Sequence, residues 1–321
     1  TDYLRKILAE GYNLEFFIEG TRSRTGKMYM PRIGLLKWIA EAAIAGRVRN
    51  VQVVPIAVAY EKVIEERSIS REVSGGKKKK EDLGELLRAG RVLASRFGRL
   101  NLQVGEAYDL RQALSEFGAT READATAQNA GILQLAYRIV HEIAMLSPVT
   151  PTGLVSTALL LTGEQRVHRD TVIALVHWLT PRLRSQNATF TRALVAPTAA
   201  KGEQEPEADL LDVREDALDQ ALSRLVGEKA IRLEADAPAP LYDLVEDRRV
   251  SLGYYRNGII NFLVAESVVA RAVLATEAEE PGRIDTAVVR RRARFLSRVW
   301  KYEFVFKVGD SFDDIFDATL D

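Results

Sequence analysis

Leu14-Glu15-Phe16-Phe17-Ile18 is an apolar run rich in aromatics that halts at Glu19-Gly20 and passes into Thr21-Arg22-Ser23-Arg24-Thr25-Gly26-Lys27. Bounded by Gly11 and Gly20, such a run predicts a short buried strand. Residues 3 to 10, before it, read as the end of a helix stopped by Gly11. Ile33 to Ala45 follows with good helix formers, places Ile33, Leu36, Ala40, Ala43 and Ile44 at helical spacing, and meets Gly46 at its end. Val51 to Val58, interrupted by Pro55, predicts a second strand, and Leu100 to Val104 a third. Strand, helix and strand at this spacing constrain the chain to an α/β class, a sheet flanked by helices. Both strand ends are then expected at one sheet edge.

The loop that closes the first strand has the composition of a phosphate pocket. Gly20 and Gly26 let main-chain N–H groups turn toward an anion. Arg22 and Arg24 offer planar forks of donors and Lys27 a point charge. Thr21, Ser23 and Thr25 add neutral hydrogen bonds. An isolated basic loop reads first as a solvated turn whose arginines meet surface carboxylates.

The neighbourhood sets this loop apart. Phe16-Phe17-Ile18-Glu19-Gly20-Thr21-Arg22-Ser23-Arg24, followed after one helix-sized interval by Val54-Pro55-Ile56-Ala57-Val58-Ala59-Tyr60-Glu61, resembles the third and fourth sequence blocks of the glycerolipid acyltransferases. Gly253-Tyr254-Tyr255-Arg256-Asn257 and the apolar stretch after it resemble the C-terminal region of the large glycerol-3-phosphate and dihydroxyacetone-phosphate acyltransferases. The resemblance implies acyl transfer from acyl-CoA or acyl carrier protein to the sn-1 hydroxyl of glycerol 3-phosphate, giving lysophosphatidate. Dihydroxyacetone phosphate is the alternative acceptor. It further implies that Glu19, Gly20, Thr21, Arg22 and Ser23 hold the substrate, with Arg24 and Lys27 assisting. Val54, Pro55 and Ile56 then shape the acyl side, and Tyr60 closes it. No cofactor and no metal are implied, and the protein is expected to sit peripherally on the cytoplasmic side of a membrane. Glu19, a carboxylate beside arginines, is expected to have a lowered pKa and to fix the loop rather than act as a base.

One part of the family pattern is missing. The proton-accepting histidine of these enzymes lies in a His-x-x-x-x-Asp block upstream of the Glu-Gly-Thr-Arg block. Here His141, His168 and His177 are followed five positions on by Leu146, Ile173 and Arg182. The chain is therefore expected to be a fragment without the catalytic base. A non-catalytic relative that keeps the pocket is the other possibility.

Composition fits a substantial core and two domains, expected at 1–118 and 119–321. The chain has 321 residues, 47% of them hydrophobic and 28% charged. Without cysteine, disulfides and thiolate chemistry are excluded. The best candidate for a membrane span, Gly258 to Ala275, is interrupted by Asn261, Glu266 and Arg271. The zero net charge averages opposed regions. Residues 1–60 carry 9 Lys and Arg against 5 Asp and Glu, whereas residues 203–247 carry 4 against 14. The basic part surrounds the proposed anion site, as binding of anionic substrates requires.

Past Asp109 the pattern turns helical, with helices expected over Glu122–Leu146, Thr152–Leu161, Asp170–Arg184 and Val213–Val226. Residues 196–212 read as a flexible linker. Ala230–Glu234 and Leu241–Val245 are expected to pair as a hairpin, giving a winged-helix-like piece. A nucleic-acid binder would use it, but it lies in the acidic segment, against the demand of a polyanion for a basic face. His177 reads as a core or rim residue rather than a metal ligand. The Lys77–Lys80 run reads as a solvated loop or as a contact for coenzyme A phosphates or anionic lipid. Residues 290–301 combine six cations with Phe295, Leu296, Val299 and Trp300. They suit either a membrane interface or a surface helix paired with the acidic tail 310–321.

Overall fold

A computed structural model describes residues 2–21, 23–48, 50–61, 99–195, 213–279 and 281–320. The expectations for Arg22, the Lys77–Lys80 run and the 196–212 linker fall outside these residues. Small antiparallel sheets flanked by helices make up the first part, and the chain becomes mainly helical beyond it.

Helix α1 spans Asp2–Ala9 and α2 spans Gly34–Ile44, with Leu36, Ile39, Ala40, Ala42 and Ala43 buried. Between them the expected first strand is extended, and it alternates as a strand does. Leu14 and Phe16 face inward, Ile18 is buried, and Phe17 is 79% exposed. It is not a strand, because among the described residues no ladder partner runs beside it. Its inward side chains join the core that α2 contributes to, and its backbone is bonded locally instead of in a ladder, Ile18 O accepting from Arg32 N at 2.8 Å and Phe17 O from Gly20 N at 2.9 Å. Among the described residues the strand–helix–strand unit is thus not completed.

Pro55 has no N–H to give a ladder, so the second expected strand is split into β1 (Gln52–Val53) and β2 (Ile56–Tyr60). β2 pairs antiparallel with β3 (Leu100–Val104), Ile56 facing Val104 and Tyr60 facing Leu100. β1 pairs with β4 (Tyr108–Asp109), whose Asp109 caps α3 (Leu110–Glu116). Asp124 then accepts from Thr126 N and Ala127 N, both at 2.8 Å, and starts α4 (Ala125–Leu146). Helices α2, α3 and α4 bury Leu36, Leu110, Leu114, Ile132 and Leu135 with Ile18 in one core, joined by Val305 from far along the chain.

Thr150 caps α5 (Pro151–Leu161) by accepting from Gly153 N, and Pro151 occupies the first turn, where its missing N–H costs nothing. β5 (Arg166–His168), α6 (Arg169–Ser185), α7 (Glu215–Gly227), β6 (Ile231–Leu233) and β7 (Leu241–Leu244) follow. Their sheet order is β5-β7-β6, so the helix–helix–hairpin order expected of a winged-helix-like piece is present. His177 sits on the exposed face of α6. A second core, built by α5, α6, α7 and the β5-β7-β6 sheet, holds α8 (Arg249–Asn257) through Leu252 and Tyr255. A third gathers α9 (Val264–Glu279), α10 (Thr286–Val299) and α11 (Phe312–Leu320). In it Arg290 reaches Asp313 and Asp317, and Arg294 reaches Asp313, so α10 is bound to the acidic tail. No single described helix is long and apolar enough to cross a membrane, although residues 246–279 pass on length and composition as a pair bent by 79°.

One buried ion pair joins the first part to the second. Glu61, 5% exposed at the end of β2, accepts from Arg224 Nη2 at 3.2 Å and from Arg99 N at 3.2 Å. Arg224 Nη1 also donates to Thr152 Oγ1 at 3.1 Å. Arg224→Ala strands a buried carboxylate, and the unfolding free energy is expected to fall by about 3 kcal/mol in denaturant titrations.

Candidate functional site

Segments far apart in the sequence line one cleft of ≈ 200 Å³. Glu19, Ser23, Gly26, Lys27 and Met28 come from the loop, Val58, Ala59 and Tyr60 from β2, and Ser147, Pro148 and Thr150 from the α4–α5 turn. Tyr254, Tyr255, Asn257, Gly258, Ile259 and Asn261 complete it from α8 and the turn beyond. The loop and the Gly253–Asn257 stretch thus lie on the same wall-to-wall opening. No histidine lines it among the described residues.

The loop is a folded object with internal supports. Gly20 and Gly26 both adopt φ in the left-handed region, +65° and +79°. A Cβ on Gly20 would come within 2.6 Å of Arg32 Cδ, and one on Gly26 within 2.2 Å of the Tyr254 carbonyl oxygen. Ser23 Oγ donates to Lys27 O at 2.7 Å, Lys27 N reaches Thr25 Oγ1 at 3.4 Å, and Arg24 N donates to Tyr29 Oη at 3.2 Å. Thr21 and Arg24 are exposed.

Glu19 fixes the loop as expected, its Oε2 accepting from Tyr29 N at 2.8 Å. Its pKa moves opposite to expectation: burial pushes it above the ordinary carboxylate value, outweighing the single backbone hydrogen bond that pulls it down. Lys27 lines the cleft, but its ammonium lies 3.0 Å from Glu303 and 4.7 Å from the Phe304 ring centre. A phosphate at this position competes with that carboxylate.

Val54, Ile56, Val58 and Tyr60 project to one side of β2, each 41–55% exposed, while Pro55 is buried. Across the ladder Leu100, Leu102 and Val104 project the same way and are 57–60% exposed. The result is an apolar face whose Val58 and Tyr60 reach the cleft, so polar loop and greasy strand adjoin.

Sequence reasoning missed Asn257, Thr150 and Glu303 as neighbours of the loop. The Gly253–Asn257 motif was a visible signal, but nothing in its spacing tells which part of the chain it meets. Gly26→Ala, strained in φ and driven into the Tyr254 backbone, is expected to cost about 2 kcal/mol or more of stability in denaturant titrations.

The sequence model for the glycerol-3-phosphate acyltransferase C-terminal region matches residues 70–321, and that for acyltransferases matches residues 1–59. A Mycobacterium bovis protein named "Putative acyltransferase plsB1" is 29% identical over 312 residues, 97% of this chain and 47% of its own length. The glycerol-3-phosphate acyltransferase of Pasteurella multocida is 29% identical over 283 residues, covering 86% of this chain and 33% of the relative. That of Actinobacillus succinogenes is 28% identical over 292 residues, 89% and 34% respectively. The chain spans about half or less of the length of the curated relatives it matches. With more than half of its residues matched by one family model and the N-terminal part by another, the chain belongs to the glycerol-3-phosphate acyltransferase family.

Proposed function

We propose that this chain forms the substrate-holding part of an acyltransferase acting on glycerol 3-phosphate. The observation that carries the reading is the meeting of the Glu19–Lys27 loop with Gly253–Asn257 around one cleft beside an apolar strand face. An acceptor with an anionic head and a donor with an acyl tail need that pairing of surfaces.

In this reading the loop's backbone N–H groups, Arg22, Arg24 and Lys27 hold the phosphate, while Ser23 stiffens the turn from within. Val54, Pro55, Ile56 and Tyr60 shape the acyl side. The sn-1 hydroxyl attacks the thioester carbonyl of acyl-CoA or acyl carrier protein, the C–S bond breaks, and the thiolate leaves as lysophosphatidate forms. The base that takes the hydroxyl proton belongs to a His-x-x-x-x-Asp block that this sequence does not contain. No cofactor enters the scheme. Dihydroxyacetone phosphate offers the same phosphate and is separated from glycerol 3-phosphate by direct competition.

The same reading places the protein peripherally at the cytoplasmic face of a membrane, where long-chain thioesters collect. Exposed Phe295, Val299 and Tyr302 on and after α10 support it, since the paired arginines leave these side chains facing outward.

Calorimetric titration of the chain with sn-glycerol 3-phosphate is expected to give saturable binding, with glycerol inert. Absence of heat with both ligands contradicts a headgroup site. In a form of the protein that carries the His-x-x-x-x-Asp block, Arg22→Ala is expected to raise KM for glycerol 3-phosphate about tenfold or more, with a smaller effect on kcat. Unchanged kinetics would remove Arg22 from the site.

A further inference from the structure

The loop that presents the cations is held from outside by a residue more than 200 positions away. Asn257, 5% exposed, donates from Nδ2 to the Thr25 carbonyl at 2.7 Å across a separation of 232 residues. Its Oδ1 accepts from Arg256 Nε at 3.2 Å and Nη2 at 3.0 Å. The guanidinium has only donors, so it fixes which end of the amide faces it and leaves the NH₂ group pointed at the loop. Next to this bond the Gly26 backbone abuts the Tyr254 carbonyl, closely enough that a Cβ has no room. The loop is therefore gripped at two consecutive residues by the end of α8.

Arg256 is itself unusual. Half-buried, it has its pKa pulled below the ordinary arginine value by burial, with no carboxylate among the causes to oppose it. Both of its described hydrogen bonds go to Asn257. A half-buried cation bonded to one amide is a poor stabilising device, since the charge gains little in exchange for the hydration it loses. It makes sense as a means of orienting that amide.

We propose that Asn257, oriented by Arg256, is the positioning residue that sets the headgroup loop in its anion-binding form, so that phosphate affinity is conferred on the Glu19–Lys27 loop by α8. This inference rests on the headgroup reading given above. Neither residue need touch the phosphate: Asn257 acts through Thr25, and Arg256 acts through Asn257.

The test is calorimetric titration of the full chain with sn-glycerol 3-phosphate, alongside thermal unfolding of each variant. Asn257→Ala is expected to weaken binding about tenfold. Arg256→Lys keeps the charge but loses the planar fork, and is expected to weaken binding by a similar factor. Together the two substitutions are expected to cost no more than Asn257→Ala alone, because both act through one bond. Amide exchange at Thr25, Gly26 and Lys27 should quicken in both variants while exchange in α4 stays unchanged, a pattern that general destabilisation does not give. Parent-like affinity in Asn257→Ala overturns the inference and leaves the headgroup reading standing. So does a silent Arg256→Lys, or losses that simply add. If Asn257→Ala does not fold, Arg256→Lys decides alone, since it leaves the asparagine in place. No binding by the unmodified chain overturns the headgroup reading and this inference with it.

Discussion

Everything in the cleft depends on a close approach between two backbones. Gly26 lies against the Tyr254 carbonyl at a distance that excludes even a methyl group, and its left-handed φ turns the loop so that Thr25 O meets the Asn257 amide. Only glycine satisfies both demands, the dihedral and the contact. Beside that contact lie the Lys27–Glu303 pair and the wall of the cleft that β2 supplies. A loop of mixed cations and hydroxyls has many conformations open to it. Packing against a helix end removes most of them before any ligand arrives, which lowers the entropy a ligand must supply.

One link between the two parts, at the end of β2, is polar. Glu61 and Arg224 join the end of β2 to α7, and Thr152 Oγ1 takes a further bond from the same guanidinium. Such a pair adds little net stability over a hydrophobic isostere, yet it tolerates only one geometry. The first part has a small sheet and a core shared with α4, while the second carries its own helical core. Directional contacts therefore decide how loop and α8 face each other.

Much of this was legible in the sequence where local chemistry decides. α2, α4, α5, α6 and α7 fall within a few residues of their expected spans because apolar residues at helical spacing mark them, while the caps Asp124 and Thr150, which set the true starts of α4 and α5, went unread. β3 and the β6–β7 hairpin were equally plain. Leu14–Ile18 failed as a strand, although its inward and outward alternation is present, because pairing depends on a neighbour that spacing alone does not supply. Glu19 shows the same limit in electrostatics. Its arginine-rich context suggested a lowered pKa, but depth of burial, a property of the folded chain, raised it. The loop's mix of cations, hydroxyls and glycines was plain from composition, whereas its contact with α8 was not: a single Asn amide finds its partner only through tertiary structure.

The β2–β3 ladder turns two columns of large apolar side chains, from Ile56 to Tyr60 and from Leu100 to Val104, toward water. A ladder with one greasy side half open to solvent resembles half of a sandwich, since paired sheets bury such sides about 10 Å apart. In aqueous buffer that half has a colloidal character of its own. Kosmotropic salts drive such surfaces together, so the side that β2 and β3 turn outward makes the chain's self-association depend on salt.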